Sequence, residues 1–311
     1  MGIFALPLDS DIISENQLIE TGFADIKLMI KREDLIHPEV PGNKWRKLKY
    51  NLVRAREIGE PTLLTFGGAF SNHIAAVAAA GRLYKFSTIG IIRGEELSDK
   101  IDGNPTLKFA AECGMKLVFI PRSQYALKES QDFIENLRSR LGKFYLIPEG
   151  GTNALAIRGC EEILTDAERG FEYICTAVGT GGTLSGLVNS AGPNQKVLGF
   201  PAIKGIWSKS EFLALADRVD QCELLLDYHF GGYGKTTAEL IEFINKFYSD
   251  YQIKLDPIYT GKMMFGIFDL IAKGYFKPGS SILAIHTGGI QGVNGMNKQL
   301  LKKKQPIIEF L

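Results

Sequence analysis

The chain has 311 residues, 45% hydrophobic and 23% charged, with 36 Lys and Arg against 35 Asp and Glu for a formal net charge of +1. This balance belongs to a folded globular protein with room for roughly two domains. It excludes a disordered, collagen-like or disulfide-held chain. No basic excess is present to neutralise a phosphate backbone, so nucleic acid is not an expected partner. The longest aliphatic run, Ile74 to Ala80, is far shorter than the ~20 residues needed to span a bilayer. No membrane association is expected, and no basic region of a secretory signal is visible at the start. Cys113, Cys160, Cys175 and Cys222 are scattered without a CxxC pair, which fits a reduced, cytoplasmic protein.

In chain order, a regular alternation begins after about residue 60. Thr62 to Phe66 reads as a strand, Ser71 to Leu83 as an Ala-rich helix, Thr88 to Ile92 as a strand and Pro105 to Cys113 as a helix. Leu117 to Ile120, a polar helix near Gln124 to Arg140, and Phe144 to Ile147 follow. The second half continues with Tyr173 to Val178 as a strand, Thr183 to Asn189 as a helix and Val197 to Phe200 as a strand. Ser210 to Ala216, Leu224 to Phe230, Thr237 to Phe247, Met263 to Lys273 and Ile282 to Ile285 complete the series. Strands that are apolar throughout are buried on both faces, which means parallel strands between helices and an α/β fold.

In such a fold, ligands bind where strands run into their following loops. Four glycine-rich turns occupy those places: Gly67 to His73, Gly150 to Asn153, Gly179 to Thr183 and His286 to Gly289. Gly179 to Thr183 can converge backbone N–H groups on an anion at a helix start, or can simply be a tight turn. It is neither a dinucleotide fingerprint, since Leu184 stands where a glycine is needed, nor a Walker loop. The four histidines are dispersed, so no metal site is expected, and GxSxG is absent around Ser71. Gly42 to Tyr50 is dense in basic residues; alone it reads as a solvated helix face, but Lys44 and Lys47 lie one turn apart on one side.

Taken together, these segments resemble the family of 1-aminocyclopropane-1-carboxylate deaminase and D-cysteine desulfhydrase, from Lys31-Arg32-Glu33-Asp34 to Gly288-Gly289 with every motif in family order. The resemblance implies the tryptophan-synthase-β fold (type II of the pyridoxal-phosphate enzymes). That fold is two open, twisted, mostly parallel sheets flanked by helices, with pyridoxal 5'-phosphate in the cleft between domains. A smaller domain over residues 48–155 and a larger one from 1–47 plus 156–311 are expected, as are a homodimer and a small amino-acid substrate. By the same resemblance, Lys44 matches the lysine that holds the cofactor, and Lys47 with Val178, Gly179, Thr180, Gly181, Gly182 and Thr183 matches the phosphate cradle. Asn72 matches the partner of the cofactor's phenolic oxygen. Ser71, Asn72 and His73 match the substrate side, where Ser71 and His73 hold the carboxylate and Ser71 is also placed for proton transfer. Tyr233 and Tyr259 match two active-site tyrosines, Tyr259 also on the substrate side.

Two cofactor-side positions speak to substrate. The cyclopropane deaminases carry Glu and Leu where this chain has Thr260 and Thr287, which is the desulfhydrase-like pattern. A carboxylate at the ring nitrogen keeps it protonated and strongly electron-withdrawing, whereas hydroxyls leave it largely neutral. The weaker sink suits loss of a good leaving group such as thiolate, so β-elimination from D-cysteine to pyruvate, ammonia and sulfide is expected over cyclopropane opening to 2-oxobutanoate. The chain departs from many relatives at Trp45, Ala69-Phe70 and Ile74-Ala75-Ala76, close to the substrate-facing loop.

Overall fold

A computed structural model describes residues 13–23, 25–40, 42–205, 212–213 and 216–310. Among the described residues ten strands form two sheets. β3 (Thr62–Gly67), β4 (Ser87–Arg93), β5 (Lys116–Ile120) and β6 (Tyr145–Ile147) form a four-stranded sheet in the order β5-β4-β3-β6, parallel throughout. The six-stranded sheet takes β1 (Asn16–Ile19), β2 (Lys27–Lys31), β7 (Tyr173–Val178), β8 (Lys196–Pro201), β9 (Cys222–Leu224) and β10 (Ser281–Ile285) in the order β1-β2-β10-β7-β8-β9. Only the β1–β2 pair is antiparallel. Each sheet is covered on both faces. Leu63 and Ile92 pack on one side of the smaller sheet, and Leu64, Phe66 and Ile91 on the other. Leu198 and Ile282 face one side of the larger sheet, and Val197 and Leu283 the opposite side. The fold class expected from the uninterrupted apolar strands is the one observed.

Among the described residues the α-helices are α1 (Asn43–Glu57), α2 (Asn72–Tyr84), α3 (Pro105–Glu112), α4 (Arg122–Tyr125), α5 (Gln131–Leu141), α6 (Ala154–Glu161), α7 (Gly182–Ser190), α8 (Ala238–Tyr251), α9 (Thr260–Ala272) and α10 (Val293–Lys302). Most expected elements are found within a few residues of their expected ends. The polar helix over 124–140 is instead two, because the Ser130 hydroxyl accepts from Phe133 N–H and starts a new helix there. The expected element from Leu224 to Phe230 is the last residue of β9 followed by a 3-10 turn, Leu226–His229. The segment from Ser210 to Ala216 lies largely outside the described residues.

Buried charge fixes α1 against the N-terminal strands. Arg46 donates through Nε to Glu33 Oε2 and through Nη2 to Glu33 Oε1, both at 2.9 Å, and Ser14 adds a hydroxyl at 2.6 Å. Nearby, Lys31 pairs with Glu168 at 2.8 Å, with both side chains buried. Removing one partner of such a pair strands the other, typically for about 3–5 kcal/mol. Glu33→Ala is therefore expected to lower unfolding stability by about that amount, read from the midpoint of a urea transition.

Candidate active site

The strands of both sheets deliver their C-terminal loops to one cavity of about 520 Å³. Its wall includes Lys44 and Lys47 from α1, Ser71, Asn72 and His73 from the start of α2, and Val178, Gly179, Thr180, Gly181 and Thr183 ahead of and within α7. Tyr233, Tyr259 and Thr287 complete the sequence-predicted set on the wall. Gly182 and Thr260 are not on it, a difference from expectation. A Cβ on Gly182 would stand 2.7 Å from Thr152 Oγ1, so this glycine lets the cradle close from behind.

Thr260 is fully buried, and its hydroxyl is spent inside a turn. It donates to Asp256 Oδ1 at 2.8 Å and accepts from Asp256 N–H at 2.9 Å. Asp256 also accepts from the N–H groups of Ile258, Tyr259 and Thr260. The carboxylate thus caps α9 and sets Tyr259 on the cavity side. Helical residues turn by about 100° each, so Thr260, next in sequence, points elsewhere.

Lys47 and the Gly179 to Thr183 turn lie together on the wall. Lys47 Nζ donates to Gly150 O at 2.9 Å, Thr152 Oγ1 at 3.0 Å and Thr180 Oγ1 at 3.4 Å. Gly181 caps α7 with φ at +83°, and a Cβ there would lie 2.2 Å from Phe212 O; only glycine suits that place. The free N–H groups of the first turn of α7 and the hydroxyls of Thr180 and Thr183 open beside it.

Lys44 enters beside this cradle. Its amine donates to Asn43 Oδ1 at 3.0 Å, and Asn43 Nδ2 in turn donates to Thr183 Oγ1 at 2.9 Å. Burial, and then the like charge of Lys47, push its pKa down to about 7. Gly42, just before α1, has φ at +65°, and a Cβ there would stand 2.1 Å from Thr287 O. That close approach joins the Lys44 helix to the turn carrying Thr287.

Ser71 accepts from Ile74 N–H at 3.3 Å as the cap of α2, leaving its hydroxyl proton free for the cavity. No hydrogen bond is made by the Asn72 amide among the described residues, and Gly289 makes room for it: a Cβ there would be 2.9 Å from Asn72 Nδ2. His73 departs from expectation. Its Nε2 lies 2.9 Å from Thr65 Oγ1, whose own proton goes to Ile147 O, so Nε2 carries the proton and Nδ1 a lone pair without a partner. Burial and the two lysines hold its pKa well below the usual value. A neutral ring with its one N–H engaged has no proton for a carboxylate; Ser71 and Asn72 keep that capacity.

Tyr233 and Tyr259 meet edge to face at 6.2 Å, and burial raises the Tyr259 phenol well above its usual value, so it stays protonated. The other histidines serve turns: His37 accepts from Val40 N–H, His229 from Gly231 N–H and His286 from Gly288 N–H. Sequence reading missed Asn43, Arg93, Glu149 and Gln291 on the wall. For Arg93 and Glu149 a signal existed, because both stand at the carboxyl ends of strands. No helix of the described residues is long and apolar enough to cross a membrane.

A parallel α/β enzyme with a buried, partly neutral lysine beside an anion cradle is the class this site defines. The chain belongs to the pyridoxal-phosphate-dependent enzyme family, whose model matches residues 13–288. A Pyrococcus horikoshii protein named "putative 1-aminocyclopropane-1-carboxylate deaminase" is 34% identical over 296 residues, 88% of this chain and 87% of its own. An Arabidopsis thaliana protein named as a bifunctional D-cysteine desulfhydrase/1-aminocyclopropane-1-carboxylate deaminase, mitochondrial, is 31% identical over 86% of this chain and 73% of its own. The crystal structure of a homologue of ACC deaminase superposes with a TM-score of 0.76 at 30% identity, covering 93% of each chain. A hydrogen sulfide-producing enzyme from Fusobacterium nucleatum shares the fold with a TM-score of 0.67 at 16% identity, over 93% of this chain and 99% of that one.

The lysine geometry can be checked on cofactor-stripped protein. Acetylation of Lys44, followed by mass spectrometry across pH, should reach half its maximum near pH 7, against about 10.4 for an exposed lysine. In Lys47→Met, loss of the neighbouring positive charge should move that midpoint upward; an unmoved midpoint would leave burial as the whole cause.

Proposed function

We propose that the protein is a lyase that converts D-cysteine and water to pyruvate, ammonia and sulfide. The observation that carries this reading is Lys44, its amine lowered to about pKa 7, beside a cradle built for a phosphate and a wall on which Thr287 stands. The donor set fits pyridoxal phosphate: Lys47, Thr180, Thr183 and the first turn of α7 would hold its phosphate, and the Asn72 amide its phenolic oxygen. When bound, the cofactor supplies an aldehyde for an amino group and a ring that accepts the electron pair left by a departing α-proton.

In this reading Lys44 Nζ, neutral in a large fraction of molecules near pH 7, is both the nucleophile for the aldehyde and the base for the substrate Cα proton. The Ser71 hydroxyl and Asn72 amide hold the substrate carboxylate. The Tyr259 phenol, protonated and set by Asp256, holds a proton near the leaving group, with Tyr233 shielding it from solvent. Of the two threonines that suggested a weak electron sink, only Thr287 remains as a support, since Thr260 spends its hydroxyl on Asp256. Asp256 has both oxygens engaged by that turn, and Glu149, the one carboxylate on the wall among the described residues, is held by Tyr125 at 2.7 Å.

The second reading, conversion of 1-aminocyclopropane-1-carboxylate and water to 2-oxobutanoate and ammonia, is favoured by the names of the relatives. We also propose a division into a smaller domain over 48–155 and a larger one from the rest, which the separate sheets support, and a homodimer, on family resemblance. The buried, unpaired Cys113, Cys160 and Cys175 support a cytoplasmic setting.

Purified holoenzyme should release pyruvate from D-cysteine, with little from L-cysteine or D-serine and no 2-oxobutanoate from the cyclopropane amino acid. Lys44→Ala should lose about 10²–10⁴-fold in turnover. Release of 2-oxobutanoate at a comparable rate would sink the desulfhydrase reading. Separately, Lys47→Met removes a charged hydrogen-bond donor of about 1.5–3 kcal/mol. It should weaken pyridoxal phosphate binding by roughly 10- to 100-fold in an absorbance titration.

A further inference from the structure

The phosphate cradle and the carboxylate donors leave one strong cation on the wall without a task. Arg93 is the last residue of β4 and lines the cavity. Its guanidinium makes no hydrogen bond or ion pair among the described residues. Its Cζ lies 5.6 Å from the centre of the Tyr125 ring, a cation–π contact that uses none of its N–H groups. Glu149 shares the wall but does not neutralise it: Tyr125 donates to Glu149 Oε1 at 2.7 Å, and Lys128 stands 3.4 Å from Oε2. The approach to Arg93 is open because Gly68 carries no side chain; a Cβ there would lie 3.6 Å from Arg93 Nη2.

The other cations face elsewhere. Lys47 is tied to Gly150, Thr152 and Thr180, and Lys44 to Asn43. Arg93 stands by Gly68 and Tyr125. A guanidinium fork with no internal acceptor fits a carboxylate or phosphate two oxygens at a time. We propose that Arg93 binds an anionic group at the far end of a substrate side chain, so that beside D-cysteine the cavity takes amino acids with an acidic second group. This deepens the reading of the cavity as a pyridoxal-phosphate site for amino acids and rests on it.

The holoenzyme provides the test, with the absorbance of its bound cofactor as the reporter of amino-acid binding. Aspartate and asparagine, each in both D and L forms, differ in charge at constant shape; O-phosphoserine and serine extend the comparison to a phosphate end group. Wild-type protein should bind the acidic member of at least one pair about tenfold more tightly or better. A preference in the first pair assigns a carboxylate, and one confined to the second a phosphate. In Arg93→Gln that preference should fall by about tenfold, and Arg93→Lys should restore part of it. An unchanged cofactor spectrum in both variants reports an intact fold. No preference in wild type would overturn the proposal, as would equal weakening of acidic and neutral members in Arg93→Gln, which would place Arg93 with the α-carboxylate or the frame. If no amino acid of any kind perturbs the cofactor, the reading of the cavity itself fails, and that outcome is distinct from a lost preference.

Discussion

The fork between Arg46 and Glu33 is the constraint on which the site depends. It lies buried, with two hydrogen bonds of 2.9 Å, and it clamps the first turn of α1 to the segment following β2. Lys44 and Lys47 bracket Arg46 on that helix, so fixing its rotation fixes where both amines emerge. Gly42 completes the clamp by bringing the backbone ahead of α1 against Thr287 O. A solvated helix start would let two lysines repel each other into water; here the frame holds both on the wall of one cavity.

That proximity divides their chemistry. Lys47 is enclosed by oxygen acceptors from two loops, the Gly150 carbonyl and the hydroxyls of Thr152 and Thr180, which suits a fixed positive charge. Lys44 has only the amide oxygen of Asn43 and feels both burial and its neighbour's charge. One lysine can then serve as counter-ion while the other serves as nucleophile and base. The same field keeps His73 neutral, which removes it as a donor and shifts recognition of an anion to uncharged groups at the start of α2.

The strands from β3 to β8, and the loops that follow them, were legible because buried parallel strands are apolar throughout and their binding loops carry glycine. β1 and β2 were not, since Asn16, Gln17 and Lys31 interrupt the apolar pattern, and Lys31 is buried only because Glu168 accepts from both it and Asn16. The break between α4 and α5 was hidden in a run of polar residues with continuous helical character; a single hydroxyl, that of Ser130, sets it. Arg93 and Glu149 were passed over because an arginine and a glutamate at strand ends look like solvent-facing residues until the loops of both sheets line one cavity.

By itself the sequence determined the fold class and the order of the glycine-rich turns that follow the strands, because these depend on local patterns of apolar residues, glycines and hydroxyls. Tertiary structure alone decided which of those residues reach the cavity. Thr260 and Tyr259 are neighbours in the chain, yet one faces Asp256 and the other the site, since a helix start turns successive side chains apart. Lys44 became a reactive amine for a reason no pattern carries: burial and a second lysine, supplied by packing, moved its proton equilibrium to near neutrality.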